Sequence, residues 1–501
     1  REPLGGNMKT ARGRLVAAFA SAAIATSGFA LVTVGGAGAA TAQKFGTLAS
    51  PCSSASTTHY TASDKGVTKT GITIATGDDA LFHGVNAELG STVKAFAAWC
   101  NAQGGINGRK ITVDYASASS STALQSAQTA IDGFCANNDF MMVGEGFALD
   151  GGQAEHNRLA CNLVAVPGFT ATNDTQDAYE SYQAVPDPIA TASGTAATLG
   201  TKLWGAAATG NACSIRTTDL PSAQQGIQKD EIAYTSNGWL FDNCDISLTT
   251  TSSNQAIGGA IYGAKGKSDP LLLWANGWGG ELMTILGSGV ALNYHPIIFG
   301  ESNVYVESNL YGGLLPSPAN FEHINGMSTA ADNLYAKLFT EPFEAAATVP
   351  AVAKFISIAG ADNKSALAEQ SASSFLLWAT AAKSCGAALT RQCVVNYLGK
   401  ASNFSGKNAW TAGGLQAPTN PATNTPSGCA LIMHFSSGSW TQAAPSGKVG
   451  TFSCPTGSAT GIVSTAAMIS RLGLSSSYDS NGKFIGDLGS ISKSSLILPK
   501  K

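Results

Sequence analysis

Short apolar runs alternating with helix-period segments constrain this chain more than any other feature. From residue 71 onward, candidate strands fall at 72–76, 110–115, 139–144, 162–166, 212–216, 243–248, 271–275 and 296–299. Between them lie candidate helices near 91–103, 121–136, 152–161, 189–204, 222–236, 253–265 and 279–288. Such alternation predicts parallel sheets covered by helices on both faces. That many strands exceed one comfortable open sheet. The stretch "AVPDPIATASG" (184–194), with two prolines ahead of a new helix, is a natural crossing between two of them.

One joint shows the local chemistry. In "WCNAQGGINGRKITVDYA" (99–116), Gly104 and Gly105 suit the left-handed positions that end a helix. Asn107-Gly108 is a turn signal, and Ile111, Val113 and Tyr115 then alternate with polar residues as a half-buried strand does. Beyond 311 the pattern changes. Helices are expected at 330–339, 347–359 and 369–384, and a strand over "CALIMHFSSGSW" (429–440). Residues 406–429 are low in order signals, and 455–501 form a Ser/Gly-rich tail without an assignment.

With 12% charged residues and a net charge of -3, the chain shows no Lys/Arg cluster, so nucleic acid is not an expected partner. Lys9, Arg12 and Arg14 precede the apolar run 15–34, and small-residue sites follow at Ala37-Gly38-Ala39 and Ala40-Thr41-Ala42. This predicts an export signal over 1–42, with Met8 as the expected start and a membrane anchor as the alternative. Cleavage after Ala42 removes Arg1, Lys9, Arg12 and Arg14 against Glu2, which moves the net charge from -3 to -6. Pro51 before Cys52 fits a lipid-anchoring site badly, so anchoring stays open. The expectation is a secreted or otherwise extracytoplasmic protein.

Ten cysteines in an exported chain suggest disulfides. Local pairings are Cys213 with Cys244, Cys385 with Cys393 and Cys429 with Cys454, while Cys135 with Cys161 and Cys52 with Cys100 would complete the set. Spacing alone does not establish this connectivity, and buried free thiols are the alternative. No C-x-x-C or Cys/His metal spacing occurs, so neither a metal nor a cofactor is expected.

"NAQGGINGRKITVDYA", "MMVGEGFALDG" (141–151), "LVAVPGFTAT" (163–172), "LLLWANGWGGEL" (271–282) and "CGAALTRQCVVNYL" (385–398) occur in order and at fitting separations. Over roughly 71–440 the chain resembles extracellular solute-binding proteins of the leucine/isoleucine/valine-binding type. The resemblance implies an α/β fold of two doubly wound parallel-sheet lobes joined by a multi-crossing hinge, the type I periplasmic-binding-protein fold. The expected division is 43–70 as lead-in, 71–185 plus about 311–400 as lobe 1, and 186–310 plus about 401–454 as lobe 2. The implied partners are a small-molecule ligand and an ABC-transporter permease, with the protein itself a monomer and not an enzyme.

Ligands of such folds bind outside the carboxyl ends of strands. By resemblance, His83 stands where an aromatic often lines the pocket, and Phe147 and Ala148 stand where amino-acid binders have a serine. Gly168, Phe169 and Thr170 match a segment that holds a ligand carboxylate. Trp278 matches an aromatic over the ligand, and Glu301 lies at or next to the acid that holds the ligand ammonium. Each position has a structural alternative: an exposed loop histidine, a helix-capping threonine, a core tryptophan. Asp78 and Asp79 read as solvated turn residues, with a hydrogen bond to the ligand as the alternative. If Glu301 and the Gly168–Thr170 donors both hold, the pocket suits a zwitterion or polar amide; the missing serine and the absence of Tyr-Gly from "TTDLPSAQ" (217–224) argue instead for an aromatic or other small organic compound. The competing functions are a secreted hydrolase, for which no G-x-S-x-G, H-E-x-x-H or S-x-x-K set is present, a sensory module of the same fold, and a structural surface protein.

Overall fold

The computed structural model describes residues 43–54, 60–81, 87–119, 123–147, 150–170, 172–186, 192–218, 221–241, 245–249, 271–274, 285–286, 296–305, 332–360, 363–426, 428–436, 439–454 and 469–500, with scattered positions from 256 to 263. The expected signal segment lies outside them. No helix among the described residues is long and apolar enough to cross a membrane.

The first sheet alternates β1 (Gly71–Leu81), α1 (Ala87–Ala102), β2 (Lys110–Ser119), α2 (Ala123–Ala136), β3 (Met142–Val143), α3 (Gln153–Ala160) and β4 (Ala165–Val166). Its strands are parallel, in the order β2-β1-β3-β4. Successive β1 side chains point to opposite faces. Ile72 and Ile74 pack with Val93, Phe96 and Cys100 of α1, while Ala75 packs with Ala127, Ile131 and Phe134 of α2. Both faces of β1 are therefore covered by helices.

The joint after α1 is built as its glycines require. Gly105 has φ +81°, and a Cβ there would fall 2.0 Å from the Arg109 carbonyl oxygen. Arg109 is fully buried. Its guanidinium donates to the carbonyls of Thr68 (3.0 Å), Gly386 (3.1 Å) and Ala387 (3.2 Å), tying distant segments to the turn.

After α4 (Asn173–Gln176) come α5 (Ala192–Thr209), β5 (Ala212–Thr217), α6 (Pro221–Thr235), β6 (Asp245–Leu248), β7 (Leu271–Trp274), β8 (Ile298–Gly300), β9 (Leu334–Leu338), β10 (Leu431–Ser436) and β11 (Ser439–Ala444). They form one sheet in the order β11-β10-β9-β8-β7-β5-β6. β6, β5, β7, β8 and β9 run parallel, whereas β10 and β11 add an antiparallel hairpin. Two expectations are corrected here. The helix expected at 330–339 is strand β9, because a free sheet edge and an ion pair for Lys337 outweigh the helical preference of "LYAKL". The single strand expected at 429–440 is a hairpin, whose cross-strand neighbours include Phe435 and Trp440.

α7 (Pro350–Ala359), α8 (Ala366–Ser384) and α9 (Arg391–Leu398) return to the first sheet. Ser365 caps α8 by accepting from the Ala368 N–H, and Thr390 caps α9 by accepting from the Cys393 N–H. Residues 406–426, low in order signals, are ordered by partners from elsewhere in the chain. The Gln416 side-chain amide donates to the Ala184 carbonyl at 2.8 Å, and the Thr419 hydroxyl donates to the same oxygen at 2.7 Å. Backbone bonds join Glu341 N–H to the Leu415 carbonyl and Ala417 N–H to the Phe339 carbonyl, both at 2.9 Å. Three crossing segments, near 184, 340 and 416, are thereby stitched together.

The tail acquires a place as well. Tyr478 donates to Asp177 at 3.0 Å, Lys483 to the Ala178 carbonyl at 3.0 Å, and Leu488 and Leu496 pack on Leu159 and Tyr179. Disulfides join Cys52–Cys100, Cys135–Cys161, Cys385–Cys393 and Cys429–Cys454. Cys213 is also disulfide-bonded, while Cys244 lies outside the described residues.

Candidate functional site

The two sheets share a wiring, β2-β1-β3-β4 in one and β6-β5-β7-β8-β9 in the other. In each, strand order reverses beside the first strand. The crevice outside the carboxyl ends at such a reversal is where open α/β sheets bind ligands. The relevant strand ends are those of β1, β3 and β4 in the first sheet and β5, β7 and β8 in the second.

β1 runs on to Leu81, so Asp78 and Asp79 sit on the strand and not in a solvated turn. They are 0% and 1% exposed, which corrects the sequence expectation. Asp78 accepts from the Tyr115 hydroxyl at 2.7 Å and from the Gly90 N–H of α1 at 3.2 Å. The Lys94 ammonium lies over the Tyr115 ring, 3.3 Å from its centroid. His83 lies outside the described residues, as do Ala148 and Trp278.

After β3 comes Phe147. It is buried in the core between sheet and α2, where its ring leaves no room for a Cβ at Gly77, 2.4 Å away. Glu145 is buried, and one of its carboxyl oxygens has no hydrogen-bond partner. Burial pushes its carboxyl up to about 7, against the pull of its own backbone N–H and of Arg158. A cavity of about 40 Å³ beside it is lined by Phe147, Asp150, Glu155, Arg158 and Thr170. That volume has room for water molecules.

After β4, the N–H groups of Gly168 and Phe169 both donate to the Glu145 carbonyl, at 2.8 and 3.1 Å. The Thr170 hydroxyl donates to Gln183 at 3.3 Å. These groups, expected to receive a ligand carboxylate, are therefore engaged within the chain. The carboxylate found beside this segment is the protein's own. Asp150 accepts the Thr172 N–H (2.9 Å), the Thr172 hydroxyl (2.6 Å) and the Thr175 hydroxyl (2.6 Å) at the start of α4. Sequence reading missed Asp150, because it lies 22 residues before Thr172 and nothing local links the two.

In the second sheet, Glu301 follows β8 and meets the ammonium of Lys337 at 2.6 Å. The same ammonium holds both Asp230 oxygens, at 2.7 and 2.8 Å. Burial alone would lower the Lys337 pKa, but Asp230 and Glu301 together hold it well above the ordinary lysine value. The ammonium partner of Glu301 here is thus a side chain of β9. Among the described residues, no group of His, Cys, Asp and Glu is arranged to hold a metal ion.

No protein-family model matches the chain, and no curated protein matches its sequence. Solved structures do match. A fatty acid ABC transporter substrate-binding protein from Thermomonospora curvata is 13% identical, with a TM-score of 0.58 over 76% of this chain and 93% of that one. The branched-chain amino acid transporter substrate-binding protein of Streptococcus pneumoniae, in complex with isoleucine, is 15% identical, with a TM-score of 0.54 over 75% and 100%. A solute-binding protein from R. palustris in complex with benzoate is 10% identical, with a TM-score of 0.57 over 78% and 99%. The likeness is one of architecture: this chain has the type I periplasmic-binding-protein fold seen in ABC-transporter substrate-binding proteins.

Proposed function

We propose that this protein is an extracytoplasmic solute-binding protein that closes two lobes on a small organic molecule and hands it, unchanged, to an ABC importer. The observation that carries the reading is the pair of identically wired sheets, each with its order reversal, connected through three crossings stitched at Ala184, Thr340 and Gln416. Two lobes on a three-strand connection can rotate about it and bury a ligand between the strand ends. The neighbours' recorded ligands, isoleucine and benzoate, support a small-molecule cargo. The first lobe comprises 71–185 and the helices from 350 to 398. The second begins near 186 and extends through β9, because that strand pairs with β8. An export signal over residues 1–42 and a membrane permease as partner belong to the same proposal. Native mass spectrometry of the mature protein purified from its own host tests it. The expected result is a retained small molecule, recovered chemically unaltered; steady turnover of the retained compound would refute it.

A further inference from the structure

We infer that the carboxyl-terminal tail is a strap: it connects the two lobes besides the crossings near 184, 340 and 416 and, by covering a contact between α6 and α4, limits how far the lobes open. The inference rests on the two-lobe reading above and adds a conformational device to it. Three observations support it.

The first is the path of the tail. Up to Cys454 the chain belongs to the second sheet. Ser453 and Ala430 exchange backbone hydrogen bonds, both at 2.9 Å, and Cys454 is disulfide-bonded to Cys429. Arg471 still touches the second lobe, donating to the Ser236 hydroxyl just past α6 at 2.7 Å. From Tyr478 onward the partners are in the first lobe. The Phe484 N–H donates to the Asp177 carbonyl at 3.0 Å, the Ile497 N–H to the Glu180 carboxylate, and Gln392 of α9 to the Leu498 carbonyl at 2.8 Å. Between Arg471 and Tyr478 the chain therefore passes from one lobe to the other.

The second is the contact beneath it. α4 and the start of α6 follow β4 and β5, at carboxyl strand ends, where the lobes face each other. Lys229 of α6, 5% exposed, donates to the side-chain carbonyl of Gln176 in α4. Both ends of this bond are held. One residue on, Asp230 pins α6 to its own sheet through Lys337. The Gln176 backbone carbonyl accepts from the side chains of Gln183 at 2.6 Å and Asn424 at 3.2 Å, beside the crossings. With both ends fixed, rotation of one lobe away from the other has to break the Lys229–Gln176 bond.

The third is how the tail encloses that contact. Tyr478 donates to the Asp177 carboxylate at 3.0 Å, next in sequence to Gln176, and Lys483 donates to the Ala178 carbonyl at 3.0 Å. Burial raises the Asp177 carboxyl above its usual range, while Lys229 from the second lobe and Lys483 from the tail pull it back. Asp177 thus stands between the opposing lobe and the tail. A charge-assisted hydrogen bond shielded from water is stronger than one in solvent, so the tail strengthens the contact that it covers.

Small-angle X-ray scattering of the full-length mature protein tests the strap. Retained solute is first removed by unfolding in guanidinium chloride and refolding with the disulfides intact. Lys229→Met removes the ammonium at similar length, and Tyr478→Phe with Lys483→Met loosens the tail at Asp177. Each variant should raise the radius of gyration by several per cent over wild type, while circular dichroism shows the secondary structure retained. All three substitutions together should open the protein no further than the larger single effect, because both variants act on one contact. A radius unchanged in both folded variants overturns the inference, and so does an additive opening. Should Lys229→Met fail to refold, the tail variant alone decides. A solute retained from the host and chemically unaltered leaves the solute-binding reading standing whatever the scattering shows. Turnover of that compound sinks the reading without bearing on the strap.

Discussion

Lys337 sits in a segment whose residue types favour a helix, yet its ammonium ends between two carboxylates inside the second sheet. A buried charge is tolerable only while paired, and removing one partner leaves the others stranded. Lys337→Met should destabilise the protein by about 3–5 kcal/mol, because Asp230 would remain buried without its cation. Urea denaturation followed by tryptophan fluorescence would measure it. Adding Asp230→Leu should recover part of the loss, since Glu301, with 18% of its side chain exposed, can turn to water. No recovery in the double variant would mean that the pair is not the source of the effect. Nothing in the spacing of Asp230, Glu301 and Lys337 announced this triad, because its members lie on three different elements. The turn at Gly105 and Asn107-Gly108 was legible at once, since positive φ angles impose their residue types locally.

At the scale of elements, α8 decides how closely the first sheet can be approached. Its face carries Ser371 and Ser374, whose hydroxyls donate to the carbonyls of Gly144 (2.9 Å) and Pro167 (2.6 Å) at the ends of β3 and β4. A Cβ at Gly144 would lie 2.7 Å from the Ser371 hydroxyl oxygen. The helix starts at Ser365, which accepts the Ala368 N–H at 3.1 Å and donates to Glu88 of α1 at 2.8 Å. Ser365→Ala should cost at least about 1 kcal/mol by removing the cap. Amide hydrogen exchange should show faster opening in the first turn of α8, and unchanged protection there would refute the assignment. The helical pattern of α8 could be read from sequence; its partners could not, because they come from strands more than 200 residues away.

The whole molecule stores several buried acids that favour the protonated form. Burial pushes Glu341, near the crossing segments, up to about 8, opposed by Lys448. It pushes Glu180 up to about 7 against the pull of Arg158, and Glu145 to about 7 as well. Each pKa is raised above its unfolded value of roughly 4.3, so the folded state binds more protons than the unfolded state above that pH. Their stabilisation is fully present below about pH 4.3 and is lost as pH rises through 7 to 8. Asp479 acts in the opposite sense. Burial raises its pKa, but Lys493, Tyr179 and nearby backbone N–H groups hold it well below the usual range, so its contribution is lost on acidification. The melting temperature should therefore fall between pH 5 and pH 8, and Glu341→Gln should flatten the upper part of that fall. A melting temperature that climbs steadily from pH 5 to pH 8 would contradict the assignment.

What the sequence determined by itself is everything that depends on neighbours in the chain. Strand and helix alternation and the helix-ending glycines follow from local pattern, whereas cysteine spacing only suggested the disulfide pairs that the fold joins. Only the tertiary structure decided that 334–338 is a strand, that 429–440 is a hairpin, and that the tail covers Leu159. It also decided that Glu301 answers to Lys337, and that Asp150 occupies the donors beside β4. Those outcomes depend on which groups meet across the fold. A hydrogen-bond donor or a charge has no fixed role until burial removes water as its alternative partner.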